Sequence, residues 1–201
     1  MIIAICGKKG SGKSTLAKTL QEEMDSGASS CHILSLALPI KNLVHKACGD
    51  TPSDQVGNVD KTYPALAQKV PFGSLESLTY RSLYQAVGQA MRNIHPDFWI
   101  KTWERSAEQM RELANKRTCS FIVDDVRYAN EVQFFQEKGA LMVRLLRDPS
   151  FCVDQHPSEQ EMNSIPMDRF DVIVPPQFTV EQNKALVLAA LACHKREGGA
   201  Q

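Results

Sequence analysis

Apolar residues fall along this chain in two rhythms, short unbroken runs and helical repeats, and the two alternate. The opening run MIIAIC reads as a buried strand; it yields at Gly7 to a polar, glycine-rich loop, after which TLAKTLQEEM (15–24) reads as a helix. HILSLA (32–37) reads as a second short strand. In LPIKNLVHKACG (38–49), Pro39 suits the first turn of a helix and Gly49 its end. From Asp50 to Gly73 the periodicity fails, and Asp, Asn, Pro, Ser and Gly predict a loop. Helical spacing returns with Leu75, Leu78, Leu83, Ala86, Val87, Ala90, Met91 and Ile94. Pro96 interrupts it, and residues 97–117 resume it as a further helix. CSFIVDDV (119–126), a near-continuous apolar run closed by two carboxylates, predicts a parallel strand covered on both faces. NEVQFFQEKG (130–139) predicts a helix, ALMVRLL (140–146) and FDVIVP (170–175) two more strands, and Thr179–His194 a last helix.

Strands alternating with helices predict an α/β fold of three layers around a parallel sheet of about five strands. Residues 1–201 are long enough to form a single domain with its own core. Helices concentrate between residues 38 and 118, which reads as an insertion, and the polar segment 148–170 reads as a lid.

Charge narrows the possible partners. Lys plus Arg number 23 and Asp plus Glu number 23, with no block of one sign, so neither a nucleic acid nor a membrane surface is expected and small molecules are. The longest apolar stretch, ALVLAALAC (185–193), is too short to span a bilayer. Six cysteines include no C-x-x-C pair, and the apolar run at Met1 ends too early for a signal peptide; reduced thiols in a cytoplasmic protein are the expectation. Cys152 and His156 lack the second pair that a zinc site needs.

The candidate chemistry lies in GKKGSGKST, Gly7–Thr15, where Gly7, Gly12, Lys13 and Ser14 satisfy G-x-x-x-x-G-K-[ST] between a predicted strand and a predicted helix. Glycines are needed because successive backbone N–H groups must turn inward around an anion, through angles that a side chain obstructs. Gly10 and Ser11 extend the same loop. Lys13 is then placed to reach the outer phosphates of ATP, Ser14 to give its hydroxyl to Mg²⁺, and the following helix to direct its positive end at the phosphates. Open parallel sheets bind ligands at the carboxyl ends of their strands. The Gly7 loop, Asp124 with Asp125, and Arg147 all follow such ends and are expected to converge. The competing reading is an ordinary Gly/Ser/Lys turn. A guanine-specific GTPase would carry N-K-x-D, and this chain has only NVDK at 58–61. A small-molecule kinase explains more, because it needs a second anion pocket and a lid that excludes water. Arg144, Arg147 and Arg169 border the lid and are candidates to neutralise phosphate oxygens.

The ordered motifs GKKGSGKST, LALPIKNLV, YRSLYQAVGQAMR, HPDFWIK, DDVRYANE, GALMVRLLRD and QHPSEQ cover most of the chain, and it resembles the deoxynucleoside monophosphate kinases of tailed bacteriophages. The resemblance implies transfer of the γ-phosphate of ATP to a deoxynucleoside monophosphate, giving the diphosphate and ADP, with Mg²⁺. For a phage-encoded enzyme this would occur in the cytoplasm of the infected host. It implies acceptor contacts at Arg81, Gln85, Gly88, Gln89, Trp99, Asp125, Arg127 and Glu131. The residues themselves suggest catalytic roles for Lys13, Ser14 or Thr15, Arg127 and a lid arginine such as Arg147, and metal contacts at Ser14 and, through water, Asp125. One departure is that the family often carries Asp-Thr after the loop lysine, where this chain has Ser14-Thr15, so either hydroxyl could meet the metal.

The residues leave alternatives open. Arg81, Gln85 and Gly88, at i, i+4 and i+7, share a helix face, and such a face is either an anion-and-base contact or simply solvated. Trp99 either stacks on a base or packs in the core, where Trp103 is placed. Asp124 can take the role assigned to Asp125, and Arg127 can pair with Glu131. HPSE (156–159) is either a lid contact or a helix start capped by Ser158. A general base is not required, because phosphoryl transfer depends chiefly on position and charge neutralisation. The functional alternatives are a kinase for another small acceptor, such as dephospho-coenzyme A or a sugar acid, and a regulatory protein that binds ATP without transferring it. The state of assembly is not legible, a homodimer being one option.

Overall fold

Five apolar runs become one parallel sheet, in the order β2-β3-β1-β4-β5. The computed structural model describes residues 1–25, 29–48, 79–114, 118–146 and 157–198. Its elements are β1 (Ile2–Gly7), α1 (Lys13–Met24), β2 (Ser29–Ile33), α2 (Leu38–Cys48), α3 (Tyr80–Ile94), α4 (Phe98–Leu113), β3 (Thr118–Val126), α5 (Ala129–Glu137), β4 (Leu141–Leu145), α6 (Pro157–Ser164), β5 (Val172–Val174) and α7 (Val180–Gly198). β1 lies at the centre, paired with β3 on one side and β4 on the other, and all six of its residues are buried.

The chain forms two units, Met1–Ser35 with Trp103–Gln201, and Leu36–Thr102. The first contains the sheet. One face of the sheet, carrying Ile3, Ile5, Leu141, Val143 and Val172, packs against Leu16, Ala17 and Leu20 of α1 and Val187 and Leu191 of α7. The other face is covered by aromatic rings. Trp103 stands edge-on to Phe121, 6.0 Å between centroids, and to Phe135 at 4.9 Å. Helices on both faces make the expected three layers. Each fully buried Leu, Ile or Phe side chain contributes about 1.5–3 kcal/mol by leaving water.

The second unit is helical. Thr79 caps α3: its Oγ1 accepts from Ser82 N at 3.1 Å while Ser82 Oγ accepts from Thr79 N at 3.0 Å. Val44 and Cys48 of α2 pack with Tyr80, Leu83, Tyr84 and Val87 of α3. The α3 helix ends where expected, with His95 extended before Pro96.

Two elements differ from the sequence reading. β2 occupies residues 29–33 rather than 32–37, pairing Ser29 with Thr118 through Ile33 with Ile122. It is an edge strand, so Ser29 and Ser30 are tolerated there, whereas the apolar Leu34 and Leu36 are buried beyond its end. Within the segment assigned to the lid, residues 157–164 form α6. Its first residue is Pro157, a position where the missing N–H costs nothing, so Ser158 falls within the helix. Residues 148–156 of that segment, and 49–78 of the insertion, lie outside the described residues.

Candidate functional site

The loop after β1 is shaped by glycines in two distinct ways. A side chain at Gly7 would lie 2.7 Å from Ser11 Oγ and 2.8 Å from the Leu145 carbonyl oxygen, so close packing excludes one. Gly10 and Gly12 take left-handed backbone angles, φ 73° and 89°. Where a side chain at Gly12 would project, none of the described residues lies within 4 Å. α1 begins at the next residue with no side-chain cap and no acidic residue in its first turn, which leaves its positive end suited to an anion. Lys13 is buried, and its ammonium donates to the carbonyls of Gly7 (2.5 Å) and Lys8 (2.8 Å). The Ser11 hydroxyl is buried with no hydrogen-bond partner among the described residues. An open cradle, an orphaned hydroxyl, a helix N-terminus and a lysine together fit a polyphosphate.

The carboxylates arrive through an irregularity in the sheet. Ala4 pairs with Val123 but Cys6 with Val126, so the single residue Ile5 spans both Asp124 and Asp125. Such a bulge re-aims side chains that a regular pleat would send to opposite faces. Asp124 is buried; its Oδ2 accepts from Ser14 Oγ at 2.8 Å and its Oδ1 from Ser35 Oγ at 2.6 Å. The hydroxyl expected at the metal is thus joined to Asp124 rather than to Asp125, which is half-buried beside it. Ser14 and Asp124 bring together hard oxygens of the kind that suits Mg²⁺, with Ser35 behind the carboxylate. Ser35 carried no motif and was missed by the sequence reading.

Glu131 is buried, and its Oε2 accepts from the backbone N–H groups of Arg127 (2.8 Å) and Tyr128 (3.1 Å). It closes the turn between β3 and α5 and so holds the Arg127 backbone in a capping role. Arg144 is not at a lid surface. Its guanidinium is buried, donating to the Met162 carbonyl at 2.9 Å and to Cys6 Sγ at 3.6 Å, and lying over the Phe170 ring at 5.2 Å. It anchors the last turn of α6 to β1 and β4. Burial pushes the Cys6 thiol up, against the pull of the Arg144 and Lys13 charges. Arg169 is exposed, its carbonyl accepting from Gln136 Nε2 at 3.0 Å. Arg147 lies outside the described residues.

In the helical unit, Arg81 and Gln85 are half-buried and Gln89 is exposed, donating to Asn93 Oδ1 at 2.8 Å. Trp99 is in the core, 4 % exposed, where its Nε1 donates to the Gly88 carbonyl at 3.0 Å. Gly88 is buried, and a side chain there would lie 3.3 Å from both Ile40 Cδ1 and an Arg92 terminal nitrogen. Both residues therefore serve helix packing. Trp103 is in the core as expected, donating to the Leu34 carbonyl at 2.8 Å.

A parallel sheet whose central strand feeds a glycine loop and an uncapped helix, with a hydroxyl-bound carboxylate on the adjacent strand, defines a P-loop protein of the kinase type. Residues 55–184 match the family model for deoxynucleotide monophosphate kinase, more than half of the chain, and the chain belongs to that family. The matched span begins after the glycine loop, so loop geometry and family match are independent observations. A protein of Acanthamoeba polyphaga mimivirus, provisionally described as a deoxynucleotide monophosphate kinase, is 26% identical over 206 residues, covering 95% of this chain and 96% of its own. The crystal structure of shikimate kinase from Aquifex aeolicus aligns over 97% of this chain and 98% of its own, at 16% identity and a TM-score of 0.39; a likeness at that level adds nothing to the fold read from the sheet itself. Among the described residues no helix is long and apolar enough to cross a membrane.

Proposed function

We propose that the protein transfers the γ-phosphate of ATP to a deoxynucleoside monophosphate, giving the diphosphate and ADP. The observation that carries this reading is the Ser14–Asp124 hydrogen bond beside a loop with an open side at Gly12. Lys13 leaves the Gly7 and Lys8 carbonyls to neutralise the outer phosphates, while the amides at the start of α1 hold the inner ones. Ser14 and Asp124 hold the divalent cation, with Ser14 as the direct oxygen donor. Bound there, Mg²⁺ supplies charge neutralisation on the phosphate oxygens.

For the acceptor, Arg81 and Gln85 present a guanidinium fork and an amide from one face of α3, suited to a phosphate and a base edge. Gln89 borders that face, while Gly88 and Trp99 support it by setting α3 against the start of α4. Asp125 and Arg127 stand as further acceptor contacts, with Arg127 and Arg147 spreading charge as the phosphoryl group moves.

A coupled ADP-release assay over the four deoxynucleoside monophosphates tests the proposal. Acceptor-dependent ADP is expected. Turnover only with other small acceptors, or nucleotide binding with no ADP, would replace it with another kinase or with a regulatory ATP-binding protein.

A further inference from the structure

The end of β2 is held unusually firmly. Leu34 donates its N–H to the Ile122 carbonyl at 2.9 Å and accepts at its own carbonyl from Trp103 Nε1 at 2.8 Å. The next residue, Ser35, leaves the sheet and places its hydroxyl 2.6 Å from Asp124 Oδ1, while Ser14 occupies Oδ2. A carboxylate otherwise turns about its bond to Cβ, and hydroxyls on opposite oxygens stop that turn. Two backbone bonds at Leu34 already tie β2 to its surroundings, so the Ser35 hydroxyl adds orientation of Asp124 more than attachment of the strand.

We propose that Ser35 is a positioning residue, which from the end of β2 sets the rotation of the Asp124 carboxylate so that Oδ2 meets the Ser14 hydroxyl and the pair is ready for a divalent cation. The inference rests on the proposed function, in that Ser14 and Asp124 are taken as the metal side of an ATP site. Ser35 itself touches neither metal nor phosphate. Its removal leaves Oδ1 a buried acceptor without a partner and lets the carboxylate present either oxygen to Ser14. Partners of this outer kind tune a metal site by fixing its ligands.

The test is calorimetric titration of the full chain with a non-hydrolysable ATP analogue, once with Mg²⁺ and once with EDTA. The wild type is expected to bind more tightly with Mg²⁺. In Ser35→Ala the EDTA affinity stays within about twofold, while the gain on adding Mg²⁺ falls by about tenfold or more, the usual cost of losing such a partner. Ser35→Thr, which keeps the hydroxyl, restores the gain. Ser35→Cys keeps nearly the same volume with a weak donor, and answers the same question should Ser35→Ala not fold. An unchanged Mg²⁺ gain in Ser35→Ala, or in Ser35→Cys should Ser35→Ala not fold, overturns the inference, as does an equal loss of affinity in Mg²⁺ and EDTA, which marks a purely structural role. A wild type without any Mg²⁺-dependent gain instead refutes the proposed donor site itself.

Discussion

Ser14 and Asp124, 110 positions apart in the chain, meet at 2.8 Å from hydroxyl to carboxylate oxygen. Under the proposed function, that contact assigns the two neighbouring aspartates different roles. Asp124→Asn is expected to lower kcat by about a hundredfold or more, the range seen when one preorganised electrostatic group is lost. Asp125→Asn is expected to act on the acceptor KM and to change kcat by less than about tenfold. Steady-state ADP release with each substrate varied in turn checks the split, and equal effects on kcat would contradict it.

Lys13 gives up two carbonyl partners whenever it reaches for a phosphate, and those partners also hold the loop. Lys13→Ala should remove about 3–4 kcal/mol of transition-state stabilisation, several hundredfold in turnover, if its charge acts as preorganised donors do. Near-native turnover in this variant would sink the proposed chemistry.

The loop glycines should fail in different ways. In Gly7→Ala the new methyl meets the Leu145 carbonyl oxygen at 2.8 Å, so β1 and β4 must shift; stability falls by about 1–3 kcal/mol and activity with it. Gly12→Ala meets no atom of the described residues, but an L-residue at φ 89° costs about 1–2 kcal/mol, and its methyl enters the space proposed for phosphate. Urea unfolding compared with nucleotide-analogue affinity distinguishes them: affinity should fall out of proportion to stability only at Gly12.

Trp99 is tied to α3 by one buried hydrogen bond. Trp99→Phe keeps most of the ring and leaves the Gly88 carbonyl without that donor, which should cost about 1–3 kcal/mol in urea unfolding. Trp99→Ala should cost about 3–5 kcal/mol.

Burial, with a smaller contribution from Asp25, pushes the Cys31 thiol from 9.0 up to about 11. Because the folded state holds this proton more tightly than the unfolded chain, the associated stability is complete below pH 9 and is lost as the pH rises towards 11. The melting temperature should fall over that window, and less steeply in Cys31→Ala than in the wild type.

The glycine loop was legible because its signal is local: strand, turn chemistry and helix follow one another within two dozen residues. Helices α2, α3 and α5 were legible for the same reason, α2 through Pro39 and Gly49 at its ends, α3 and α5 through apolar patterns closed by Pro96 and Gly139. β2 was misplaced because hydrophobicity marks what is buried, and Leu34 and Leu36 are buried without being paired in the strand. Trp99 could not be resolved from sequence, since an indole in a core and an indole on a base have the same spacing. Glu131 was visible only as a member of a motif; that it caps a turn depends on where the chain bends after Val126. Ser35 gave no signal at all, because its partner lies on another strand.

The one-against-two mismatch opposite Ile5 has a cost of its own. A chain shaped by stability alone would zip β1 to β3 without the fault, since an uninterrupted ladder satisfies more of its amides. Shortening that stretch by one aspartate should therefore yield a protein that is no easier to melt yet slower to turn over. That outcome would place the native sequence away from its own thermal optimum at the very place where phosphate chemistry is proposed to occur.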